Sequence, residues 1–225
     1  MKNKKMKTKI IAVLSTLLIL SLSGCSTRTE TNTNDTAKQI VKSKDKKILI
    51  VYFAVAENSK VDAISSASVR EVNGDAKGNI RILAETIQSK VGGDLFSIEI
   101  AQDYPGGVKE LVDFAEKEQK SNARPKLVSH IENLDKYDTI FIGYPNWWYD
   151  LPMPIYSFLE EYDFSGKNII PFCTHDGSGF SKTIETIEEL EQNAAVMKGL
   201  AVNQRNVLKV EGDVAEWLDK MGVTK

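Results

Sequence analysis

Three consecutive aromatic residues follow a short apolar run in the middle of the chain. Trp147, Trp148 and Tyr149 stand in the segment YPNWWYDLPMP, between Pro145 and Pro152. Prolines restrict the backbone, so we expect the rings to be held near fixed directions. Flat faces in such a loop suit a planar ligand. A simpler alternative, in which Trp147 or Trp148 only caps a sheet, stays open at this stage.

A second candidate loop reads THDGSGF and spans residues 174–180. Gly177 and Gly179 flank Ser178, and glycines let backbone amides approach a ligand closely. Hydroxyls and amides of this loop would bond the carbonyl groups of a heterocycle. His175 either lies near that ligand or is an ordinary loop histidine.

A third candidate segment follows the apolar run KILIVYF at residues 47–53. About two dozen residues separate this run from the next helical pattern, and loops of this length are usually functional or disordered. The segment contains Ser65, Ser66 and Ser68, and it ends in Gly78 and Asn79. A helix N-terminus at this point would form an anion site from free amides. The alternative is a solvated surface insertion followed by an ordinary helix cap.

The sequence contains no CxxC, HExxH or GxSxG motif. We therefore predict no metal ligand and no catalytic nucleophile or general acid. Cys173 ends an apolar run and is expected to be a packed thiol.

Apolar strand-like runs alternate with helix-like patterns along the body of the chain. We predict strands at 47–53, 94–100, 138–144, 168–173 and 195–202. We predict helices beginning near residue 79 and spanning 108–120, 153–162, 181–192 and 213–221. This alternation indicates an α/β fold with a doubly wound, five-stranded parallel sheet. Right-handed crossovers allow the order 2-1-3-4-5, with a ligand at the carboxyl ends of the strands.

The first residues predict an address for the protein. A basic stretch precedes an apolar run at 10–22, which is too short to span a bilayer comfortably. The run ends in LSGC at 22–25, which resembles the lipobox of bacterial lipoproteins. That resemblance implies a signal peptide at 1–24, lipidation of Cys25, and an extracytoplasmic protein anchored to the cell membrane. Residues 25–46 are polar and are predicted to be a flexible tether, followed by a folded domain at 47–225.

Charge separates the two ends of the chain. After the first 24 residues, the remainder carries 24 basic and 31 acidic side chains. An acidic body disfavours nucleic acid as a partner, because phosphate binding needs a basic surface. It suits a protein that meets basic patches on another protein.

The residues from about 46 to 221 resemble the flavodoxin-like superfamily, particularly bacterial flavodoxin-family lipoproteins. KILIVYF with the later Gly78-Asn79 pair resembles the family's strand and phosphate loop, and Asn122–Pro125 also has the family's pattern. YPNWW and THDGSGF resemble its two flavin loops. Ala54 and Ile80 depart from the family's usual serine and threonine. The resemblance implies flavin contacts at Asn79, Pro145, Asn146, Trp147, Trp148, Thr174, Gly177, Ser178, Gly179 and Phe180.

The resemblance further implies FMN as the cofactor and electron transfer as the function. The donor or acceptor would be a redox partner protein or a small molecule. An FMN-dependent oxidoreductase using NAD(P)H or a quinone is the first alternative. A flavin-free binding module with the same fold is the second, because fold alone does not fix function.

Overall fold

The computed structural model describes residues 47–59 and 68–223. The predicted signal peptide, Cys25, the tether, Ser65 and Ser66 lie outside the described residues. The strands are β1 Ile48–Tyr52, β2 Val69–Val72, β3 Asp75–Gly78, β4 Asp94–Ser97, β5 Thr139–Pro145, β6 Asn168–His175, β7 Ala195–Val196 and β8 Leu200–Asn203. The helices are α1 Asn79–Val91, α2 Val108–Lys120, α3 Met153–Glu161, α4 Thr183–Leu190 and α5 Glu211–Met221.

A parallel sheet forms the centre of the fold, in the order β4-β1-β5-β6-β7, with β8 also paired to β6. The predicted order 2-1-3-4-5 is confirmed, because β4 is the second predicted strand and β7 with β8 form the fifth. The chain winds outward from β1 in both directions. The winding therefore reverses between β1 and β5, whose carboxyl ends meet at one edge.

Both faces of the sheet are covered by helices. Along β1, Leu49 and Val51 pack into one core with side chains of α2, α3 and α4. Ile50 and Tyr52 pack into the other core with side chains of α1 and α5. Continuous apolar strands are expected of a sheet buried on two faces. Within the described ranges, no helix combines the length and the apolarity needed to cross a membrane.

The predicted fifth strand at 195–202 is interrupted, and Pro171 of β6 provides the reason. The amide of Met197 donates to the carbonyl of Ile169 at 2.8 Å, so alternate residues of β6 face this edge. Pro171 is the next residue to face it, and proline has no N–H to donate. The ladder therefore stops after β7 and resumes as β8. Gly199 fills the gap, where a Cβ would lie 2.6 Å from the carbonyl oxygen of Pro171.

A short antiparallel hairpin, β2 with β3, occupies part of the segment that we predicted to be a long loop. Two residues, Asn73 and Gly74, connect its strands with φ of 55° and 91°. Asn-Gly is the preferred pair for this type of turn. The sequence signal was therefore present in VREVNGDAKG, although alternation over only four residues in each strand is weak.

The predicted strand at 94–100 is shorter in the structure, where β4 ends at Ser97.

Candidate functional site

A cavity of about 590 Å³ opens where the loops after β5 and β6 meet α2. This volume lies within the range of about 300–1,000 Å³ that is usual for small-molecule sites. The loop after β5, the loop after β6, one face of α2 and a single serine beside the hairpin form its walls. The lining residues are Ser68, Val108, Leu111, Val112, Ala115, Asn146, Trp147, Trp148, Tyr149, Asp176, Gly177 and Ser178.

Trp147 is partly a core residue and partly a wall of the cavity. Its ring meets Phe53 and Tyr104 edge to face, with centroids 5.7 and 5.6 Å apart. Its indole Nε1 donates to the Ser68 hydroxyl at 2.9 Å. The ring therefore packs in the core, as the capping alternative predicts, and it also lines the cavity, while contact with a planar ligand stays a prediction. These contacts fix the position of the indole at the cavity wall.

Trp148 and Tyr149 form a two-residue turn. The backbone of Trp147 and Asp150 closes it, with N–O distances of 3.1 and 2.9 Å. Both central residues have positive φ, 49° for Trp148 and 64° for Tyr149. The Trp148 indole donates to the carbonyl of Val112 in α2 at 3.2 Å. This bond joins the loop after β5 to α2, and both of them line the cavity.

Asp150 anchors that turn from inside the protein. The side chain is buried, and its carboxylate accepts from the Leu151 amide at 2.8 Å and the Tyr156 hydroxyl at 3.0 Å. The Lys182 ammonium lies 2.9 Å away and neutralises the charge. Burial and the neighbouring Asp150 raise the pKa of Tyr156 to about 12, so this phenol stays a donor at neutral pH.

The side-chain amide of Asn146 has a buried oxygen at the edge of the cavity. Its amide nitrogen donates to the carbonyl of Gly179 at 2.7 Å and to the Ser181 hydroxyl at 3.2 Å. These two acceptors fix which side of the amide is nitrogen. Its Oδ1 is buried and accepts no hydrogen bond from the part of the chain that the structure describes. A buried acceptor without a donor costs about 1–3 kcal/mol, which a ligand donor entering beside Asn146 would offset.

The loop after β6 exposes backbone to the cavity. Gly177 and Gly179 have φ of 109° and 61°, and a Cβ at either position would meet no atom within 4 Å. The Gly177 amide donates to Nδ1 of His175 at 2.9 Å. Partial burial lowers the pKa of His175, although Asp176 opposes this shift. The imidazole therefore acts here as a neutral acceptor that shapes the loop.

The remaining predicted contacts are distributed differently. Thr174 is fully buried, and its backbone carbonyl accepts a hydrogen bond from the backbone N–H of Asn146 at 2.8 Å, which joins the two loops. Pro145 is the last residue of β5 and directly precedes Asn146. The Phe180 ring lies against the backbone of Gly199 and is not among the described residues lining the cavity. Cys173 is buried and burial raises the pKa of its thiol, as expected of a packed cysteine.

Asn79 begins α1, as predicted, but it lies outside the cavity lining. It is fully buried, and its Oδ1 accepts from Nε of Arg70 at 2.6 Å. Its backbone amide donates to the carbonyl of Ser68 at 2.8 Å. Arg70 also donates to the carbonyl of Gln204 and so ties the hairpin to the loop after β8. A contact between Asn79 and a phosphate stays a prediction.

Sequence reasoning missed the helical wall of the cavity. Val108, Leu111, Val112 and Ala115 recur at helical spacing, which indicates a buried face without saying what it faces. In the structure, Leu111 and Ala115 are buried, whereas Val108 and Val112 are 51% and 41% exposed. Tyr149 was also missed, although it stands in the aromatic loop. No spacing rule distinguishes a cavity wall from a core face.

Comparison with known protein families decides the identity of this fold. The model of a family described as flavodoxin matches residues 72–221, two thirds of the chain. The chain belongs to the flavodoxin family. Comparison with curated proteins gave no match.

Solved structures agree with this membership. A proposed flavoprotein from Bacteroides eggerthii is 26% identical, with a TM-score of 0.58 over 79% of this chain and 99% of that one. A proposed flavoprotein from Bacteroides uniformis is 27% identical, with a TM-score of 0.58 over 78% and 99%. A flavoprotein from Lactobacillus acidophilus, solved with FMN, is 19% identical, with a TM-score of 0.51 over 73% and 97%. The last likeness shows the shared fold alone.

Proposed function

We propose that this flavodoxin-family protein binds FMN in the cavity and carries electrons between redox partners. The observation that carries this proposal is the cavity at the carboxyl ends of β5 and β6, walled by Trp147, Trp148 and the Gly177 loop. The buried Oδ1 of Asn146, which accepts no hydrogen bond within the described residues, fits a heterocycle that offers an N–H. Family membership independently favours a flavin.

Each wall would have a separate task in holding the cofactor. The indoles offer flat apolar faces for stacking, which is worth about 0.5–1.5 kcal/mol per aromatic pair beyond area burial. The Gly177 amide already donates to His175, so the open backbone at Gly179 would offer its amide to a ring carbonyl. The apolar side chains of α2 exclude water. Bound FMN would supply the redox chemistry, and these residues would orient it.

We favour an electron carrier over an NAD(P)H-dependent reductase because the family model that matches this chain is that of the flavodoxins. Asp176 is the one charged side chain among the described residues that line the cavity, and Val108, the first residue of α2, lines it as well. A helix N-terminus suits the phosphate of FMN, because its free amides attract anions.

Titration of the full-length protein in detergent with FMN tests the proposal. Binding is expected to quench indole fluorescence and shift the flavin absorption spectrum. Trp148→Ala should weaken binding, whereas Trp217→Phe should not, because Trp217 packs in the opposite core and donates to the carbonyl of Lys198. Failure to bind at about 1 mM FMN, the weak end of specific affinity, would support the flavin-free module. Steady turnover with NAD(P)H would support the reductase.

We also propose that a lipid on Cys25 holds the protein at the outer face of the cell membrane, near a membrane-bound redox partner. The sequence LSGC after a basic stretch and an apolar run supports this proposal. Acyl chains stabilise membrane association by about 0.8 kcal/mol per buried CH₂. Cys25→Ser should move the protein from the membrane fraction to the soluble fraction. A variant that remains in the membrane fraction would contradict the anchor.

A further inference from the structure

A buried carboxylate on α2 has no cation to balance its charge among the described residues. Glu118 is 6% exposed, and no Lys, Arg or His of those residues forms an ion pair with it. Its two oxygens accept separate hydrogen bonds, one from the Tyr104 hydroxyl at 2.6 Å and one from the Gln102 amide at 2.5 Å. Since both oxygens accept, the side chain is ionised in this arrangement. Burying such a charge is costly, and ionisable groups of this kind concentrate at functional sites.

Tyr104 lies between that carboxylate and a wall of the cavity. Its side chain is buried, and its ring meets the Trp147 ring edge to face, with centroids 5.6 Å apart. Its other ring contacts are with Phe53 and Phe114, at 5.7 and 5.4 Å. Phenylalanine is not readily oxidised. Among the described residues, Trp147 is therefore the one ring in contact with Tyr104 that can exchange an electron with it.

The hydrogen bonds of the two rings favour oxidation of the tyrosine. A phenol gives up an electron easily only when its proton can leave to a base, and Glu118 already accepts that proton's hydrogen bond. Burial raises the pKa of Glu118, so its carboxylate is a stronger base than that of an ordinary glutamate. The Trp147 indole N–H is bonded instead to the Ser68 hydroxyl at 2.9 Å, which is a poor base. An oxidised Trp147 would therefore keep its proton and stay strongly oxidising.

The far end of this series of contacts reaches a different part of the surface. Glu118 lines a second cavity, of about 290 Å³, which shares no lining residue with the first. The exposed side chains of Lys117 and Lys126 line the same cavity. The contacts from Trp147 through Tyr104 to Glu118 thus join the walls of two separate cavities.

We propose that Tyr104 and Glu118 form a proton-coupled redox site that repairs Trp147 after oxidation. When a one-electron oxidant, such as an oxygen-derived radical, removes an electron from Trp147, Tyr104 gives an electron to the indole and its hydroxyl proton passes to Glu118. The products are intact Trp147, a neutral tyrosyl radical and a neutral glutamic acid. A small one-electron reductant, such as ascorbate, then supplies an electron to the radical, and Glu118 returns the proton. This site protects a wall of the cavity and needs no bound flavin.

Pulse radiolysis of the flavin-free, full-length protein in detergent tests the proposal. The oxidant is the azidyl radical, which takes an electron from indole in preference to phenol. Absorption of the indolyl radical should decay in a fast phase as that of the tyrosyl radical appears. Tyr104→Phe should abolish this phase. Glu118→Gln should slow it about 100-fold, the lower end of what a positioned base contributes. In wild type the phase should be slower in D₂O, because a proton moves with the electron.

Tyr52→Phe is the matched control. Tyr52 also donates to a carboxylate, that of Glu57 at 3.0 Å, but its ring contacts no tryptophan of the described residues. This substitution should leave the fast phase unchanged. Melting temperatures of the variants show that each one is folded.

Three outcomes would overturn the proposal. A fast phase that survives in Tyr104→Phe, or that is lost equally in Tyr52→Phe, would mean that Tyr104 does not reduce Trp147. Equal rates in wild type and Glu118→Gln would mean that Glu118 is not the proton acceptor. Equal rates in H₂O and D₂O would mean the same, and that measurement needs only wild type. None of these outcomes bears on FMN binding, so this proposal and the proposed function fail separately.

Discussion

A buried carboxylate decides how firmly the aromatic loop is held. Asp150 accepts hydrogen bonds from the Leu151 amide and the Tyr156 hydroxyl and pairs with Lys182. Asp150→Ala leaves these donors without their acceptor. We expect a loss of about 1.5–3 kcal/mol in the free energy of unfolding, the usual value for hydrogen bonds to a charged group. Urea denaturation at pH 7 measures it.

The matched control for this substitution is Asp135→Ala. The Asp135 side chain is 97% exposed and lies 3.9 Å from Lys167, so its removal should change the free energy of unfolding by less than about 0.5 kcal/mol. Equal losses in the two variants would mean that Asp150 is not an anchor. In that case the turn at Trp148 and Tyr149 would be held by its backbone bonds alone.

Much of the site could be predicted residue by residue, because it follows strand ends. Asn146, Trp147, Trp148, Gly177 and Ser178 all line one cavity, as expected of loops that leave neighbouring parallel strands. Other features depended on three-dimensional contact. The hydrogen bond from Arg70 to Asn79 and the position of the Phe180 ring have no counterpart in local spacing. These are the positions where a resemblance alone gives the least reliable assignment.

At the scale of the element, β5 and β6 are fitted to one another at Gly143. A Cβ there would lie 2.2 Å from the ring of Phe172, its partner in the register. Gly143→Ala must displace that ring from the core and should cost about 1–3 kcal/mol, as overpacking does. Gly212→Ala is the control, because a Cβ on that residue of α5 meets nothing within 4 Å. Thermal melts compare the two.

Equal melting temperatures for the two alanine variants would contradict the close fit of β5 and β6. A lower melting temperature for Gly143→Ala alone would confirm it. The loss should also reach the cavity, because both flavin loops leave the ends of these strands. FMN affinity in the Gly143→Ala variant should therefore fall along with stability.

The end of α4 gives the protein a pH dependence. Partial burial, with Asp163 adding to it, raises the pKa of Glu191 to about 7. The folded state then binds this proton more tightly than the unfolded state, whose glutamate pKa is about 4.3. Stability is therefore lost as pH rises from about 4.3 to 7. Since the group is partly exposed, we expect a loss of about 1 kcal/mol or less.

Glu191→Gln tests this shift, because glutamine keeps the shape and removes the titration. The variant should melt at the wild-type temperature at pH 4 and at a higher temperature at pH 8. Glu189→Gln is the control, because Glu189 is exposed and stands two residues before Glu191. Its melting temperature should differ from that of wild type by the same amount at both pH values. A Glu191→Gln variant with no pH-dependent gain would mean that Glu191 titrates as an ordinary glutamate.

The elements themselves were largely predictable, and the exceptions have local causes. Five helices and the parallel strands follow from periodicity, with ends that differ by a few residues. The division of the last strand follows from Pro171, whose missing N–H matters only once β6 has a neighbour on that side. The hairpin could be predicted only from the Asn73-Gly74 turn, because its two strands have four residues each and show little alternation. Short elements carry too little pattern to be recognised alone.

At the scale of the molecule, charge predicts how the protein meets its redox partners. Residues 47–225 carry 28 acidic and 19 basic side chains, and Asp176 lies in the cavity wall. The potential around the mouth should therefore attract cations and repel anions. Salt screens this field, since the Debye length falls from about 30 Å at 0.01 M to about 10 Å at 0.1 M.

Reduced, FMN-loaded protein should accordingly pass electrons to hexaammineruthenium(III), a cation, more slowly as salt is added. Its transfer to ferricyanide, an anion, should become faster over the same range. Stopped-flow measurement of both rates uses the sign of the salt effect and so needs no correction for driving force. Asp176→Asn should reduce both slopes, because it removes the charge nearest the ligand. Slopes of the same sign for the two acceptors would show that the acidic body does not govern electron transfer at the cavity.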